Sequence, residues 1–454
     1  MNFFEMITQF LQTTGISAFF QEGGWRNLVM IALAFVLLFL AIKKGFEPYL
    51  LLPIAFGMLL VNLPLAGDEV FKISTNQVYG VKALSELFQI ELSDAITLFR
   101  ELGYDVGGAY KLGDILSATN IDIVENYLRS IPLTDSHIHT ILGYATPQYS
   151  GLLGYLYYGV KWGIYPCLIF LCIGATTDFG PLIANKKTML LGAAAQVGIF
   201  ITLIGASLLG FTAGEAASIG IIGGADGPTA ILVTTKLADH LLAPISITAY
   251  SYMALVPVIF PPIIRLLTTK KERNIIMEQT RPVSKTEKIV FPLIVAAVSI
   301  LIVPSCAPLI GCLMLGNLIN ESGVVPKITE TLANSLMYIV TIILGTCVGA
   351  TALGSTFLQP QSLMIFGLGI VAFTFSAAAG VFGGKIMNWI SGGKINPMIG
   401  AAGVSAVPMA ARVVHKVGKE ENPSNFLLMH AMGPNVAGVI GSAVAAGILL
   451  SLIG

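Results

Sequence analysis

The run IGIIGGADGPTAIL, residues 219–232, carries a single carboxylate, Asp226, among four glycines, a proline and mostly apolar side chains. A carboxylate held within a membrane costs roughly 3 kcal/mol or more and is by default a functional group. Broken helix ends expose carbonyl oxygens. Together with one carboxylate they form an oxygen cage suited to a hard monovalent cation or to a proton. The same aspartate precedes Pro228, as a helix N-cap residue would, and capping and ion binding are compatible. A second interrupted stretch, KINPMIGAAGVSAVPMAARVVHK, offers Asn396, Ser405 and Arg412. A guanidinium at Arg412 could hold a carboxylate bidentately, or serve with Lys416 and Lys419 as a positive-inside anchor. Ser405 could join a cation cage or only bond a neighbouring helix. In AYSYMALVP, Tyr250 and Tyr252 are either interfacial aromatics or phenols able to relay a proton toward Asp226. Asn435, after the Gly-Pro break in HAMGPNVAGVIG, could lend an amide oxygen to the same cage or act as helix–helix glue.

Positioning such groups requires a membrane scaffold. Of 454 residues, 55% are hydrophobic and 11% charged, against about 25% charged in an ordinary soluble domain. With a mean hydropathy of +0.81, this reads as an all-α polytopic membrane protein. The 25 basic and 25 acidic residues balance, so no nucleic-acid-binding field is expected. No Walker-type lysine loop or dinucleotide fingerprint is present, so any driving energy must be ionic or chemical. The five cysteines sit in apolar segments without CxxC spacing and read as small buried hydrophobes. The pair His137 and His139 is weak evidence for zinc, and no metal other than Na⁺ is expected. The first apolar stretch lacks a small-residue cleavage site and reads as a retained helix.

Basic loops orient the spans. Lys43 and Lys44, Asn185–Lys187 and the loop 265–288 belong on the cytoplasmic side. This predicts about ten spans, near 27–42, 48–65, 151–176, 188–210, 242–264, 290–303, 307–318, 336–351, 363–382 and 426–453. Residues 213–240 then start and end outside, and 395–416 start and end inside, so neither crosses. Both are predicted re-entrant hairpins. The domain plan is 1–65, N-terminal helices; 66–150, an external partly helical insertion with 11 acidic and 5 basic residues; 151–264, a first repeat; 265–335, the cytoplasmic loop and linking helices; and 336–454, a second, inverted repeat. An offset of 175 places IGATTDFGPL on VGATALGSTFL, with Gly174 on Gly349 and Thr176 on Thr351. Inverted repeats with interrupted helices in matching positions are a transporter-like way to build a site at mid-membrane.

The motifs KKGFEPYLLLPIAFGMLLVNLP, DFGPLIAN, GIIGGADGPTAI, AYSYMALVP, GNLINESGVV, NPMIGAAGVSAVPMAARVV and NFLLMHAMGPNVAGVIGSA run from the first helix to the C-terminal segment. Through them the chain resembles the beta subunits of the sodium-pumping, biotin-dependent decarboxylases that serve oxaloacetate, methylmalonyl-CoA or glutaconyl-CoA. The resemblance implies that the chain decarboxylates carboxybiotin presented by a carboxyltransferase/biotin-carrier alpha subunit. That step would drive Na⁺ export and consume one outer-side proton. It implies Asp226 as a sodium ligand and coupling residue, Tyr252 as the proton-handling phenol, and Asn396, Ser405 and Arg412 as the polar set of the second hairpin. Ser405 and Asn396 would coordinate the ion, and Arg412 and Asn396 would face carboxybiotin; Asn435 extends the cage. A small single-span gamma-type partner, a homo-oligomeric core and the bacterial cytoplasmic membrane are implied as well. The long insertion favours the oxaloacetate branch. The competing expectation is a Na⁺-coupled carboxylate transporter without chemistry.

Overall fold

A computed structural model describes residue 19, residues 24–45, 48–64 and 149–454, and short pieces of 65–148, chiefly 70–73, 78–80, 90–102, 109–111 and 121–131. His137 and His139 lie outside the described residues. The chain divides into two units, one of residues 1–64 with 159–454 and the other of 65–158.

The larger unit opens with α1 (Gly24–Lys44), whose last turn carries Lys43 and Lys44 against the negative end of the helix, and α2 (Pro48–Asn62). The smaller unit holds α3 (Leu92–Glu101) and α4 (Ile121–Ser130), both amphipathic, with Leu98, Phe99, Val124 and Leu128 buried. Its described residues also include four strands of two or three residues. β1 (Lys72–Ile73) pairs antiparallel with β4 (Tyr149–Ser150), and β2 (Val78–Gly80) with β3 (Ala109–Lys111). The described pieces of the insertion are therefore helices and short strand pairs.

From α5 (Gly151–Lys161) onward the chain is helical to the end. α5 and α6 (Ile164–Thr176) meet at 65° through Gly163, whose φ of 75° suits glycine. α7 (Met189–Ala195) and α8 (Val197–Leu208) form one apolar rod with the turn before them. α9 (Ala213–Gly220) starts from a Thr212–Glu215 capping box and passes through a 3-10 turn, Ile221–Gly224. α10 (Gly227–Leu237) follows, with Asp226 as N-cap and Pro228 in its first turn. A methyl group on Gly214 would sit 2.5 Å from the Leu237 carbonyl, so the chain at 237 has come back to where it stood at 214. That return makes 213–237 a hairpin. α11 (Leu242–Leu267) carries Pro257, Pro261 and Pro262 and bends by 63° near residue 254. α12 (Lys285–Ile302), α13 (Ala307–Ser322), α14 (Met337–Ala350) and the long α15 (Pro360–Ile390) follow. A 3-10 segment, Pro397–Gly403, leads by an extended stretch to α16 (Met409–Glu421), and α17 (Leu428–Ile453) closes the chain.

Among the described residues, five helical segments are long and apolar enough to cross a membrane, or up to seven if each bent pair is one span. α2, with 15 residues, α12 and α13 are too short or too charged to pass by length and composition, although helices stand at those predicted positions too. The chain is a multi-pass, essentially helical membrane protein.

Two helix crossings are related by the 175-residue offset. α6 crosses α13 and α14 crosses α2, each pair pressed to backbone distance at glycines. A methyl on Gly174 would meet the Leu313 carbonyl at 1.9 Å, and one on Gly349 the Ile54 carbonyl at 2.0 Å. Asn317 Nδ2 donates to Thr177 O (3.4 Å) and Asn62 Nδ2 to Ala352 O (2.7 Å). Thr177 and Ala352 are again 175 apart, and both asparagines follow a proline, Pro308 and Pro53, by nine positions. α2, from the early part of the chain, thus braces α14, and α13, from the segment between, braces α6.

Candidate functional site

The hairpin 213–237 ends in a tight tip. Ala225 takes φ 54°, a left-handed conformation that costs a non-glycine residue roughly 1 kcal/mol and recurs at functional turns. It turns the chain so that Asp226 can cap α10: the Thr229 N–H donates to Asp226 Oδ1 at 3.3 Å. The other carboxylate oxygen accepts two hydroxyls, Ser442 Oγ at 2.7 Å from α17 and Ser405 Oγ at 3.1 Å from the tip of the second hairpin. The tips also touch through the backbone, Ser405 N–H donating to Gly224 O at 2.9 Å. Ser376 Oγ on α15 donates to Gly223 O at 2.7 Å, fixing the same turn from behind. Asp226 is 5% exposed.

Asn435 belongs to this neighbourhood. Its Nδ2 donates to the carbonyls of Ala402 (3.0 Å), Val404 (2.7 Å) and Ala406 (3.5 Å), holding the second tip open around Ser405. Its Oδ1 is buried with no hydrogen bond among the described residues, as are Thr229 Oγ1 and Gln196 Oε1. Buried unpaired oxygens are expensive. Here they add to a set of oxygens around two hairpin tips.

A cavity of about 550 Å³ has Asp226 and Ser405 in its wall, with Gly227, Tyr250, Met253 and Pro408 beside them. Thr176, Thr177 and Asp178, Tyr49, Tyr338 and Met432 line its remaining sides. These come from the end of α6, the start of α2, the start of α14 and the first turns of α17. Asp178 Oδ1 accepts from Gly180 N–H (2.8 Å) and from Lys288 Nζ (3.1 Å), and Lys288 also reaches Glu321 at 3.5 Å. Burial by itself would lower the Lys288 ammonium, but Asp178 and Glu321 hold it above the usual lysine range.

The remaining sequence candidates lie elsewhere. The Tyr252 hydroxyl donates to Phe366 O at 2.7 Å and its ring leans on Phe373, so it faces α15 and does not line the cavity. Tyr250 is the phenol on the Asp226 side: a methyl on Gly227 would sit 2.1 Å from its ring. Asn396 is fully buried but its amide donates to Arg273 O (3.1 Å) and Ile275 O (3.0 Å), while its Oδ1 caps the 3-10 segment at Met398 N–H (3.1 Å). None of its hydrogen bonds reaches Asp226 or Ser405. Arg412, in the first turn of α16, is exposed and outside the cavity lining, with no side-chain hydrogen bond or ion pair among the described residues. The sequence reading missed Ser442, the shortest partner of Asp226. Its signal was available: Ser442 lies seven residues, two helical turns, beyond Asn435 on the same face of α17.

The family model for the Na⁺-transporting oxaloacetate decarboxylase beta subunit matches residues 26–453. The chain belongs to that family. It is 49% identical over 451 residues to the methylmalonyl-CoA decarboxylase subunit beta of Propionigenium modestum, covering 99% of this chain and 100% of that one. It is 50% identical over 437 residues to a probable oxaloacetate decarboxylase beta chain of Vibrio cholerae, covering 94% and 96%. The glutaconyl-CoA decarboxylase subunit beta of Acidaminococcus fermentans is 46% identical over 448 residues, covering 99% and 98%. Identities this close do not separate the three branches, and residues 66–150 fall within the span aligned to the methylmalonyl-CoA relative, so the insertion does not favour oxaloacetate.

Proposed function

We propose that this chain is the membrane subunit that decarboxylates carboxybiotin carried by a soluble partner and couples that step to Na⁺ export. The observation that carries the reading is the meeting of the two hairpin tips, Ser405 Oγ on Asp226 Oδ2 at 3.1 Å, in the wall of a cavity. The rim residues Tyr49, Asp178 and Met432 follow or precede the basic segments at Lys43–Lys44, Lys186–Lys187 and Lys416–Lys419. By the positive-inside rule the cavity opens to the cytoplasm, where a biotin arm would arrive.

A serine hydroxyl that donates to Asp226 presents its lone pairs to a cation, so Ser405 and Ser442 can share Na⁺ with the carboxylate and with Asn435 Oδ1. Na⁺ and a proton compete for Asp226. In the chemical step the C–N bond of carboxybiotin breaks, CO₂ leaves, and the ureido nitrogen takes one proton. Delivery of that proton through the site displaces Na⁺ if the two states of the hairpins differ in affinity, which is what coupling requires. Tyr252 can hand on a proton only by releasing its bond to Phe366, whereas Tyr250 packs against the Asp226 turn. Arg412, one turn beyond Pro408 in the cavity wall, would receive the carboxylate at the cytoplasmic edge, and Asn396 would act from the base of the same hairpin. In this reading the ten-span layout holds, 213–240 and 395–416 are re-entrant, and residues 151–264 and 336–454 are inverted repeats. The protein resides in the bacterial cytoplasmic membrane with a carboxyltransferase/biotin-carrier partner, a single-span gamma-type subunit and further copies of itself.

The test is a proteoliposome assay with a biotinylated carrier loaded with carboxybiotin. Na⁺-dependent CO₂ release accompanied by ²²Na⁺ movement is expected. Na⁺-coupled carboxylate uptake with no CO₂ release would establish the transporter instead.

A further inference from the structure

The second hairpin is held at its base by a residue that belongs to neither repeat. Arg273 closes a one-turn helix, Lys270–Arg273, in the basic loop after α11. Its side chain is only 8% exposed. Its Nε lies 3.0 Å from Glu421 Oε1, where the hairpin leaves. Its Nη1 donates to Arg265 O at 3.3 Å and to Thr268 O, at the end of α11. Its carbonyl accepts the Asn396 amide at 3.1 Å, where the hairpin enters, and the Asn425 amide at 3.0 Å, just past the exit. One residue therefore ties the entry and the exit of the hairpin to the end of α11, the helix that carries Tyr250 and Met253 into the cavity wall. The neighbouring pair Arg265–Glu420 is about half exposed and contributes little, and Lys385–Glu272 is also more exposed than Arg273–Glu421. A buried guanidinium is costly to desolvate and adds little net stability, and such groups are best attested as devices that fix register.

We propose that Arg273 is a positioning residue for the Na⁺-coupled reaction: by clamping both ends of the second hairpin to α11, it sets Ser405 at hydrogen-bond distance from Asp226. Between Asn396 and Ser405 the chain runs through a buried 3-10 segment, so a shift at the base is carried to the tip. Asn396 then acts on the site through Arg273 rather than by touching the ion. The inference rests on the Na⁺-coupled reading above.

The experiment measures carboxybiotin decarboxylation in proteoliposomes against Na⁺ concentration for Arg273→Met, Arg273→Lys and Glu421→Gln, with the fraction of folded, monodisperse protein determined for each. The expected result is a rise of about tenfold in half-saturating Na⁺ for Arg273→Met, the scale of a sub-ångström displacement of a binding group. Arg273→Lys and Glu421→Gln should show smaller rises of about threefold, with carboxybiotin KM within about twofold throughout. A purely structural clamp would lower the yield of folded protein and leave the Na⁺ curve of the folded fraction unmoved, which overturns the proposal. If Arg273→Met does not fold, Glu421→Gln decides on the same criterion. Absence of Na⁺ dependence in the unsubstituted protein would overturn the coupled reading itself, and is told apart by being seen before any substitution.

Discussion

The two hairpins face each other tip to tip, yet they are built differently. The first carries the carboxylate and closes on itself: Glu215 near its start reaches His240 just past its end at 2.9 Å, and Gly214 abuts Leu237. The second brings only the Ser405 hydroxyl to the tip, and its base is closed by Arg273 from outside it. The first tip is pinned by Ser376 on α15 and the second by Asn435 on α17. A self-closed hairpin keeps its geometry wherever its neighbours move. A hairpin clamped by a loop takes its position from that loop. The charged half of the site is therefore closed by its own segment, and the neutral half is placed by the loop that holds Arg273.

Removing the charge should break the comparison outright. Asp226→Asn keeps the cap on α10 and the fold, and is expected to lower Na⁺-dependent decarboxylation by at least about 100-fold, measured as CO₂ release at saturating Na⁺. Retained Na⁺-coupled turnover would remove Asp226 from the ion site. Next come the two hydroxyls on the same oxygen. A hydrogen bond to a charged group is worth about 1.5–3 kcal/mol, so Ser442→Ala should raise half-saturating Na⁺ by about tenfold or more. Ser405→Ala, whose bond is longer, should act less, and the reverse order would show that the second tip dominates coordination. The phenols separate proton handling from packing. Tyr252→Phe loses the bond to Phe366 O and Tyr250→Phe changes the wall beside Asp226. Whichever one lowers kcat by about 10- to 100-fold with an altered pH–rate profile is the proton carrier.

The smallest effect belongs to the base of the first hairpin. Burial by itself would push the Glu215 carboxyl up, but the Thr212 N–H and hydroxyl and His240 bring it below the usual carboxylate range. A depressed carboxylate stabilises the fold above its unfolded value of about 4.3, and that contribution is lost as pH falls through the lower folded value. Glu215→Gln should therefore lower the melting temperature in detergent by about 1–2 °C at neutral pH, with the difference fading in acid below the ordinary carboxylate value.

Much of this arrangement was legible before any coordinates. Asp226 stood out because a lone carboxylate in a broken apolar run has few other uses, and the loop charges required 213–240 to turn back. The offset of 175 marked Gly174 and Gly349, and both prove to be backbone crossings. Equivalent sequence marks did not carry equal weight: a methyl on Gly205, aligned with Gly380, would meet only a Leu368 methyl at 3.9 Å, while one on Gly380 would run into Gly400 O at 2.1 Å. Asn396 looked like a partner of Ser405 because both are polar residues of one hairpin, but its hydrogen bonds go to a loop more than 120 positions earlier.

Residue type and local spacing determined what the chain can offer: a carboxylate in a broken apolar run, two interrupted helical stretches, basic loops between apolar helices, and matching segments 175 residues apart. These are local or periodic properties, written in composition and order. The tertiary structure decided which oxygens meet. Ser442 reaches Asp226 from 216 residues away and Ser405 from 179, and Tyr250 rather than Tyr252 faces the turn. Such choices depend on the rotation of each helix about its axis and the depth at which it crosses its neighbour, and close packing at distant glycines sets both.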